Sequence, residues 1–376
     1  MNTAGIYIHI PFCTRKCGYC DFNAYSGYKD GTKARYVDAL CREIATRADT
    51  TYRIPTVFFG GGTPTVLPAF DLVRILDTVR EHFNLDDDAE VSTEANPADA
   101  DAAYLETLRG AGFNRLSFGV QTFDDRLLKM IDRVHSGTDA ENAVHAAHTA
   151  GFGNVSLDLM FGLPRQTVAD VDRSLDRAFA LMPAHLSVYG LIVEERTPFW
   201  ARRERGKLPL PTEDAEAEMF ARVMERTRGA GLRRYEISNY ALPGSESRHN
   251  QIYWRNEPYF GFGAGAAAYI GGVRSANEKH PIRYADLALS GANPLAESEA
   301  LTHGETMGET LMLGLRLADG VDLARFAARF GVRAEERFAG VVARHTASGL
   351  LEQTATHLRL TERGVFLASE VMAEFV

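Results

Sequence analysis

Pro11-Phe12-Cys13-Thr14-Arg15-Lys16-Cys17-Gly18-Tyr19-Cys20-Asp21-Phe22 is the stretch on which the reading of this chain turns. Its cysteines stand in the pattern Cys-x3-Cys-x2-Cys, directly after an apolar run, Ile6-Tyr7-Ile8-His9-Ile10, that reads as a strand. Three thiolates can hold three irons of a 4Fe–4S cluster and leave the fourth iron open to a small molecule. A zinc site usually takes four protein ligands, and zinc motifs of this kind come in pairs. The remaining cysteine, Cys41, lies in a run with helical spacing of apolar residues and reads as a small core residue. No signal peptide precedes the cysteines, which argues against disulfides.

Composition sets the frame around this motif. With 376 residues the chain is long enough for one large domain and a small one. Hydrophobic residues make up 45% and charged residues 24%, as in an ordinary globular protein. A net charge of -9 and a pI near 5.7 argue against a general nucleic-acid binder. No apolar stretch reaches the length of a membrane span. A reducing cytosol is the expected compartment.

Outward from the cysteines, short apolar strands alternate with amphipathic helices. Strands are predicted at Ile6–Ile10, Val57–Gly60, Glu90–Glu94, Arg115–Gly119, Asn154–Phe161 and Leu186–Leu191, with an added strand at Tyr235–Tyr240. Helices are predicted near Lys33–Arg47, Ala69–Phe83, Ala100–Gly112, Asp124–Ile131, Thr138–Gly151, Val168–Leu181 and Glu213–Gly231. Repeated strand–helix units make a parallel sheet. The expected fold class is α/β, a partial or full parallel (β/α) barrel.

From Leu301 the texture changes. Thr306–Leu317 and Leu323–Phe330 read as helices, residues 331–349 as one more, Leu350–Glu352 and His357–Leu360 as a hairpin, and Glu362–Phe375 as a last helix. The unit is α+β and winged-helix-like, but its mixed charge points to a structural or docking role rather than DNA binding. Expected boundaries are residues 1–240 for the barrel, 241–300 for a connecting segment and 301–376 for the C-terminal domain.

Parallel barrels place their chemistry at the C-terminal ends of the strands. The unusual polar residues fall there: the cysteines after the first strand, Gly60-Gly61-Gly62-Thr63-Pro64 after the second, Glu94 after the third, Gln121 and then Arg133 after the fourth, Asp158 on the fifth. Taken singly, an Asp or Gln at a strand end reads as a helix cap and Arg133 as a surface charge. Together they offer acceptors for an ammonium and hydroxyls and a donor for a carboxylate, the lining that S-adenosylmethionine (SAM) needs.

With these residues in place, the chain resembles the HemN-like radical SAM family over nearly its whole length, and within it the haem-chaperone branch. The resemblance implies a radical SAM barrel in which Cys13, Cys17 and Cys20 ligate a 4Fe–4S cluster. It implies that Tyr7, Gly61, Gly62, Thr63, Glu94, Gln121, Arg133 and Asp158 line the SAM site. The coproporphyrinogen oxidases of the family extend the motif with a fourth cysteine, where this chain has Phe22, and carry an N-terminal extension, for which five residues before Ile6 leave no room. His249-Asn250-Gln251-Ile252-Tyr253-Trp254 matches the chaperones' His-Asn-x-x-Tyr-Trp signature. By that match His249 is the expected ligand to haem iron, with Asn250 fixing its ring and Tyr253 and Trp254 offering aromatic surface to the porphyrin. Taken alone, the segment reads rather as a loop histidine beside packed aromatics, and it is the family match that reverses this.

Two positions depart from the chaperone pattern. Ser247 stands where relatives often have cysteine, which puts a thioether link in doubt. Ala267-Ala268 stand where His-Ser is common. The implied partners are haem and haem-acceptor proteins, respiratory and membrane-associated, with peripheral membrane contact, a cluster-linked homodimer, and no nucleic acid. The rival readings are enzymes: an oxygen-independent coproporphyrinogen III oxidase, or a HemN-like C-methylase.

Overall fold

The computed structural model describes residues 2–376. Six strands, β1 (Gly5–Ile10), β2 (Tyr52–Gly61), β3 (Asn84–Ala95), β4 (Arg115–Gln121), β5 (Asn154–Phe161) and β6 (His185–Gly190), each pair in parallel with the next. Helices cross between them, among them Asp30–Thr46, Ala69–His82, Gly137–Thr149 and Val168–Ala180. The Gly137–Thr149 and Val168–Ala180 helices start on capping boxes, Ser136 with Asp139 and Thr167 with Asp170, which satisfy the first free amides of each helix.

The sheet stays open. Beyond β6 it gains the antiparallel strand β7 (Asn239–Ala241), and beyond β1 the parallel strand β8 (Tyr259–Phe262). A meander of β9 (Ala267–Ile270), β10 (Val273–Asn277) and β11 (Leu295–Ala300) carries it on from there. The two edges do not pair among the described residues, so of the two expected forms the partial barrel is the observed one. Within residues 241–300, four of these strands continue the barrel's own sheet.

Strand alternation divides the barrel wall. Ile6, Ile8 and Ile10 point outward and are fully buried beneath the helices. Tyr7 and His9 point the other way, into the lumen, opposite Phe58 and Gly60 of β2. Farther round, Gly119, Asp158 and Ser187 stand side by side on β4, β5 and β6. Both faces of these strands are covered, but one by hydrocarbon and the other by polar side chains.

Several expected elements break in the structure. The Tyr235–Tyr240 strand becomes Arg233–Arg234 and Asn239–Ala241, with Glu236 in the turn between. The Glu236 carboxylate is fully buried and accepts from the Ser238 amide (2.8 Å) and Asn239 Nδ2 (2.6 Å), which folds the chain back on itself. The single helix expected over 331–349 is two, Ala334–Arg337 and Ala339–Ala347, interrupted at Phe338. The last helix likewise splits at Leu367 into Glu362–Phe366 and Ala368–Ala373. The hairpin at Leu351–Gln353 and His357–Leu360 is present and gains a third strand, Val321–Asp322. This C-terminal unit has its own apolar core, built on Leu311, Leu315, Leu358 and Val371.

Candidate functional site

The cysteine loop follows β1 at the C-terminal mouth of the barrel, and the glycine run at the end of β2 is pressed against it. Gly62 donates its amide to Ile10 O (2.8 Å) and Thr63 to Phe12 O (2.8 Å). A Cβ on Gly62 would lie 2.5 Å from Phe12 O and 3.0 Å from Cys13 Sγ. Gly61 has φ +115°, and a Cβ there would sit 2.6 Å from the His9 ring. Its amide is already given to Glu94 Oε2 (3.1 Å). These glycines therefore let two backbone segments meet.

Cys13, Cys17, Cys20, Gly61, Gly62, Thr63, Glu94, Gln121, Arg133 and Asp158 all line one cavity of about 140 Å³. Ten of the residues picked out at successive strand ends thus converge on one space. Tyr7 is the exception. It lines a neighbouring cavity toward the open edge of the barrel, with its hydroxyl bonded to His9 Nδ1 (2.9 Å).

Around the thiols, Thr63 Oγ1 donates to Cys13 Sγ (3.6 Å) and Arg133 Nη1 to Cys17 Sγ (3.7 Å). A second arm of Arg133 binds the Gly119 carbonyl. Burial pushes the Cys13 thiol up to about 11, and the neighbouring sulfurs add to the shift. The thiols therefore keep their protons until a cationic metal group displaces them, and loading the site releases those protons. Three soft donors without a fourth, set around a cavity rather than on a single point, suit a cluster held at three corners.

Gln121 sits at a register shift in the β4–β5 ladder with φ 67°, in the left-handed region. A bulge of this kind re-aims a side chain at a strand end. Glu94 and Asp158 face each other across the lumen. Burial, with repulsion from Asp158, pushes Glu94 up to about 8 although the Gly61 amide pulls the other way. Burial also raises Asp158, against the hydroxyls of Ser187 and Ser117; the latter donates to Oδ1 at 2.9 Å. In the ligand-free chain one carboxyl of this pair holds a proton that a bound cation would expel.

The His249 segment forms the helix Arg248–Trp254 on the edge side of the lumen. Ser247, where relatives often carry cysteine, caps it by accepting from the Asn250 amide (3.3 Å). Glu90 clamps the same end, accepting from the amides of Arg248 and His249 at 3.0 Å each. His249 itself is fully buried. Its Nδ1 meets Thr56 Oγ1 (2.8 Å), its Nε2 meets Tyr253 Oη (2.8 Å), and its ring stacks on Phe58 at 5.3 Å. The expectation that Asn250 fixes the ring is corrected: Thr56 and Tyr253 do so. Both ring nitrogens of His249 are engaged, so direct contact with iron would require one of these bonds to break. Burial, with the positive charge of Arg115 added, lowers His249 to about 3, so the ring is neutral.

Tyr253 and Trp254 reach the cavity that Tyr7 lines, about 350 Å³, with Tyr259, Tyr269 and Arg274 among its walls. Trp254 also lies under the Arg316 guanidinium at 4.2 Å and borders a second cavity, about 370 Å³, against the C-terminal domain. Thr56, Glu90, Ser117 and Arg115 were not legible as site residues. Each is a lumen-facing residue on the alternate positions of its strand, and that periodicity was the one signal available.

An open parallel barrel with a Cys-x3-Cys-x2-Cys loop at its mouth is the architecture of a radical SAM protein, and the Radical SAM superfamily model matches residues 7–178. The HemN C-terminal domain model matches residues 301–367. The solved coproporphyrinogen III oxidase HemN of Escherichia coli superposes with a TM-score of 0.87 at 25% identity, over 100% of this chain and 90% of that one. Among curated relatives, the heme chaperone HemW of Bacillus subtilis is 42% identical over 98% of both chains, and that of Mycobacterium tuberculosis 40% identical over 98% of this chain and 93% of its own. The chain belongs to the HemW family of heme chaperones within the radical SAM superfamily. That membership implies a 4Fe–4S cluster and SAM. Among the described residues no helix is long and apolar enough to cross a membrane.

Proposed function

We propose that this protein binds haem and passes it to acceptor proteins, using the radical SAM barrel as the carrier. The observation that carries the reading is the Arg248–Trp254 helix, which sets Tyr253 and Trp254 into an aromatic cavity at the open edge of the barrel. Aromatic walls suit the flat apolar face of a porphyrin. The relatives named as heme chaperones support it.

In this reading Cys13, Cys17 and Cys20 hold the cluster. Gly61, Gly62, Thr63, Glu94, Gln121, Arg133 and Asp158 form the surroundings of SAM, with Tyr7 bordering them from the neighbouring cavity, Arg133 as donor to its carboxylate and the Glu94–Asp158 pair as acceptors for its cationic end. The bound cluster supplies an open iron for the amino-acid end of SAM and one-electron chemistry. SAM turnover is regulatory or absent. The boundaries 1–240, 241–300 and 301–376, a cytoplasmic site of action with peripheral membrane contact, respiratory acceptors and a cluster-linked dimer complete the reading. Coproporphyrinogen oxidation is not expected, because Phe22 replaces the oxidases' fourth cysteine and lies 65% exposed on the loop.

The test is transfer. Protein reconstituted and loaded with haem under anaerobic conditions is mixed with a haem-free acceptor, and the Soret bands of the two separated proteins are compared. Haem moving to the acceptor supports the proposal, and haem retained on the donor in every mixture contradicts it.

A further inference from the structure

Three histidines of the lumen wall each support a tyrosine hydroxyl, and the three pairs are not equivalent. Tyr7 bonds to His9 Nδ1, but His9 Nε2 is fixed to the Asn23 carbonyl (2.9 Å) and must keep its proton there. That ring can only accept from its tyrosine. Tyr235 bonds to His185 Nε2 (2.9 Å), and the far nitrogen of that ring also meets a hydroxyl, Ser156 Oγ (2.8 Å), but the Tyr235 oxygen is taken by the Ser247 amide (3.3 Å) and Tyr235 lines a different cavity, against the C-terminal domain. Tyr253 bonds to His249 Nε2, and the far nitrogen of that ring meets a hydroxyl, Thr56 Oγ1. A hydroxyl both donates and accepts. The His249 ring is therefore free to exchange tautomers, accepting from a phenol in one and donating to a phenolate in the other.

Position points the same way. His249 cannot reach the cavity without breaking its bonds to Thr56 and the clamp of Glu90 on its amide. Tyr253 lies one turn farther on the same helix face, half-buried, and forms part of the cavity wall. No histidine, cysteine or methionine lines that cavity among the described residues, and its carboxylate, Glu309, is already paired with Arg274.

We infer that the group this chain offers to haem iron is the phenol oxygen of Tyr253, that His249 is the positioning residue behind it, and that the ligand retained is ferric haem. The inference rests on the haem-binding reading above. Tyrosine is an established axial ligand of haem iron. A hard anionic oxygen favours the ferric over the ferrous state. In the binding step the phenol O–H bond breaks and an oxygen–iron(III) bond forms. One proton leaves to solvent, no electron moves, and His249 changes tautomer to donate Nε2–H to the bound oxygen. Burial keeps the Tyr253 phenol neutral in the haem-free chain, so the iron has to displace that proton.

The experiment is hemin binding to the cluster-reconstituted full chain, read by absorption, electron paramagnetic resonance and resonance Raman, for wild type, Tyr253→Phe and His249→Ala. Wild type is expected to give a high-spin ferric spectrum with phenolate ring modes. Tyr253→Phe should lose those modes and bind hemin more than tenfold more weakly. His249→Ala should keep the modes and weaken binding by about 10–100-fold, the usual weight of a group that orients a ligand. Tyr7, Tyr259 and Tyr269 line the same cavity, so phenolate modes that persist in Tyr7→Phe, Tyr259→Phe and Tyr269→Phe assign them to Tyr253 even where its own variant folds poorly. A histidine-type spectrum that survives in Tyr253→Phe and vanishes in His249→Ala overturns the inference and leaves haem binding standing. No hemin binding by the wild type overturns the haem reading itself.

Discussion

Glu94→Gln should stabilise the cluster-free protein, because the carboxyl is held where its charge is unwelcome. It titrates near 8 in the folded chain and near 4.5 when unfolded. Between those values the folded state binds the proton more tightly than the unfolded one. Stability therefore falls as pH rises through this window, and the full cost is reached above pH 8. Integrated over the titration, the ionisable side chain costs about 1 kcal/mol at pH 5 and about 3 kcal/mol at pH 7, relative to a neutral isostere. Glutamine keeps an oxygen to accept the Gly61 amide (3.1 Å) and removes the titration. Urea unfolding of both proteins at pH 5 and pH 7 measures the difference. The variant should be the more stable by roughly these amounts, with the gap widening as pH rises, and should bind SAM more weakly. Equal stability at pH 7, or a gap that narrows with pH, would refute the electrostatic account of the lumen.

Cys41→Ala should retain full iron and sulfide after reconstitution, since Cys41 is a core residue of the Asp30–Thr46 helix, whereas alanine at Cys13, Cys17 or Cys20 should lose the cluster. Gly62→Val should lose both cluster content and SAM binding, because its side chain would drive into Phe12 O and Cys13 Sγ; SAM loss with an intact cluster would contradict the packing role given to this glycine. SAM affinity by calorimetry should rise between about pH 6 and 8, by at most about tenfold per pH unit, as Glu94 gives up its proton. Arg316→Met should cost about 3–5 kcal/mol in thermal or chemical unfolding, because it leaves the buried Glu236 carboxylate without the counter-charge now 3.2 Å away, with only the Ser238 amide and Asn239 as donors.

The cysteine motif and the polar strand ends were legible because each is a local pattern. Cys13, Cys17 and Cys20 lie within eight residues, and Glu94, Gln121 and Asp158 follow from strand position alone. What escaped is set by pairing at a distance. Nothing near His249 announces that its ring is held by Thr56, 193 residues away, or its amide by Glu90. Strand β8 is short, Tyr-Phe-Gly-Phe, and too glycine-rich for its pattern to show that it joins β1. The helix breaks at Phe338 and Leu367 arise where side chains meet the C-terminal core, with Phe338 on Phe375 at 5.5 Å, while the helical spacing runs on through them. Tyr7 alternates correctly into the lumen, but one strand's alternation does not say which of two adjoining cavities it enters.

The central claim is that this radical SAM barrel carries a porphyrin rather than transforming one. The most direct measurement offers the anaerobically reconstituted protein haem in one cell, and coproporphyrinogen III with SAM and a reductant in the other. Absorbance follows haem binding, and released carbon dioxide follows decarboxylation. Saturable haem binding with no release of carbon dioxide is the predicted result. Steady release of carbon dioxide without saturable haem binding would contradict the account.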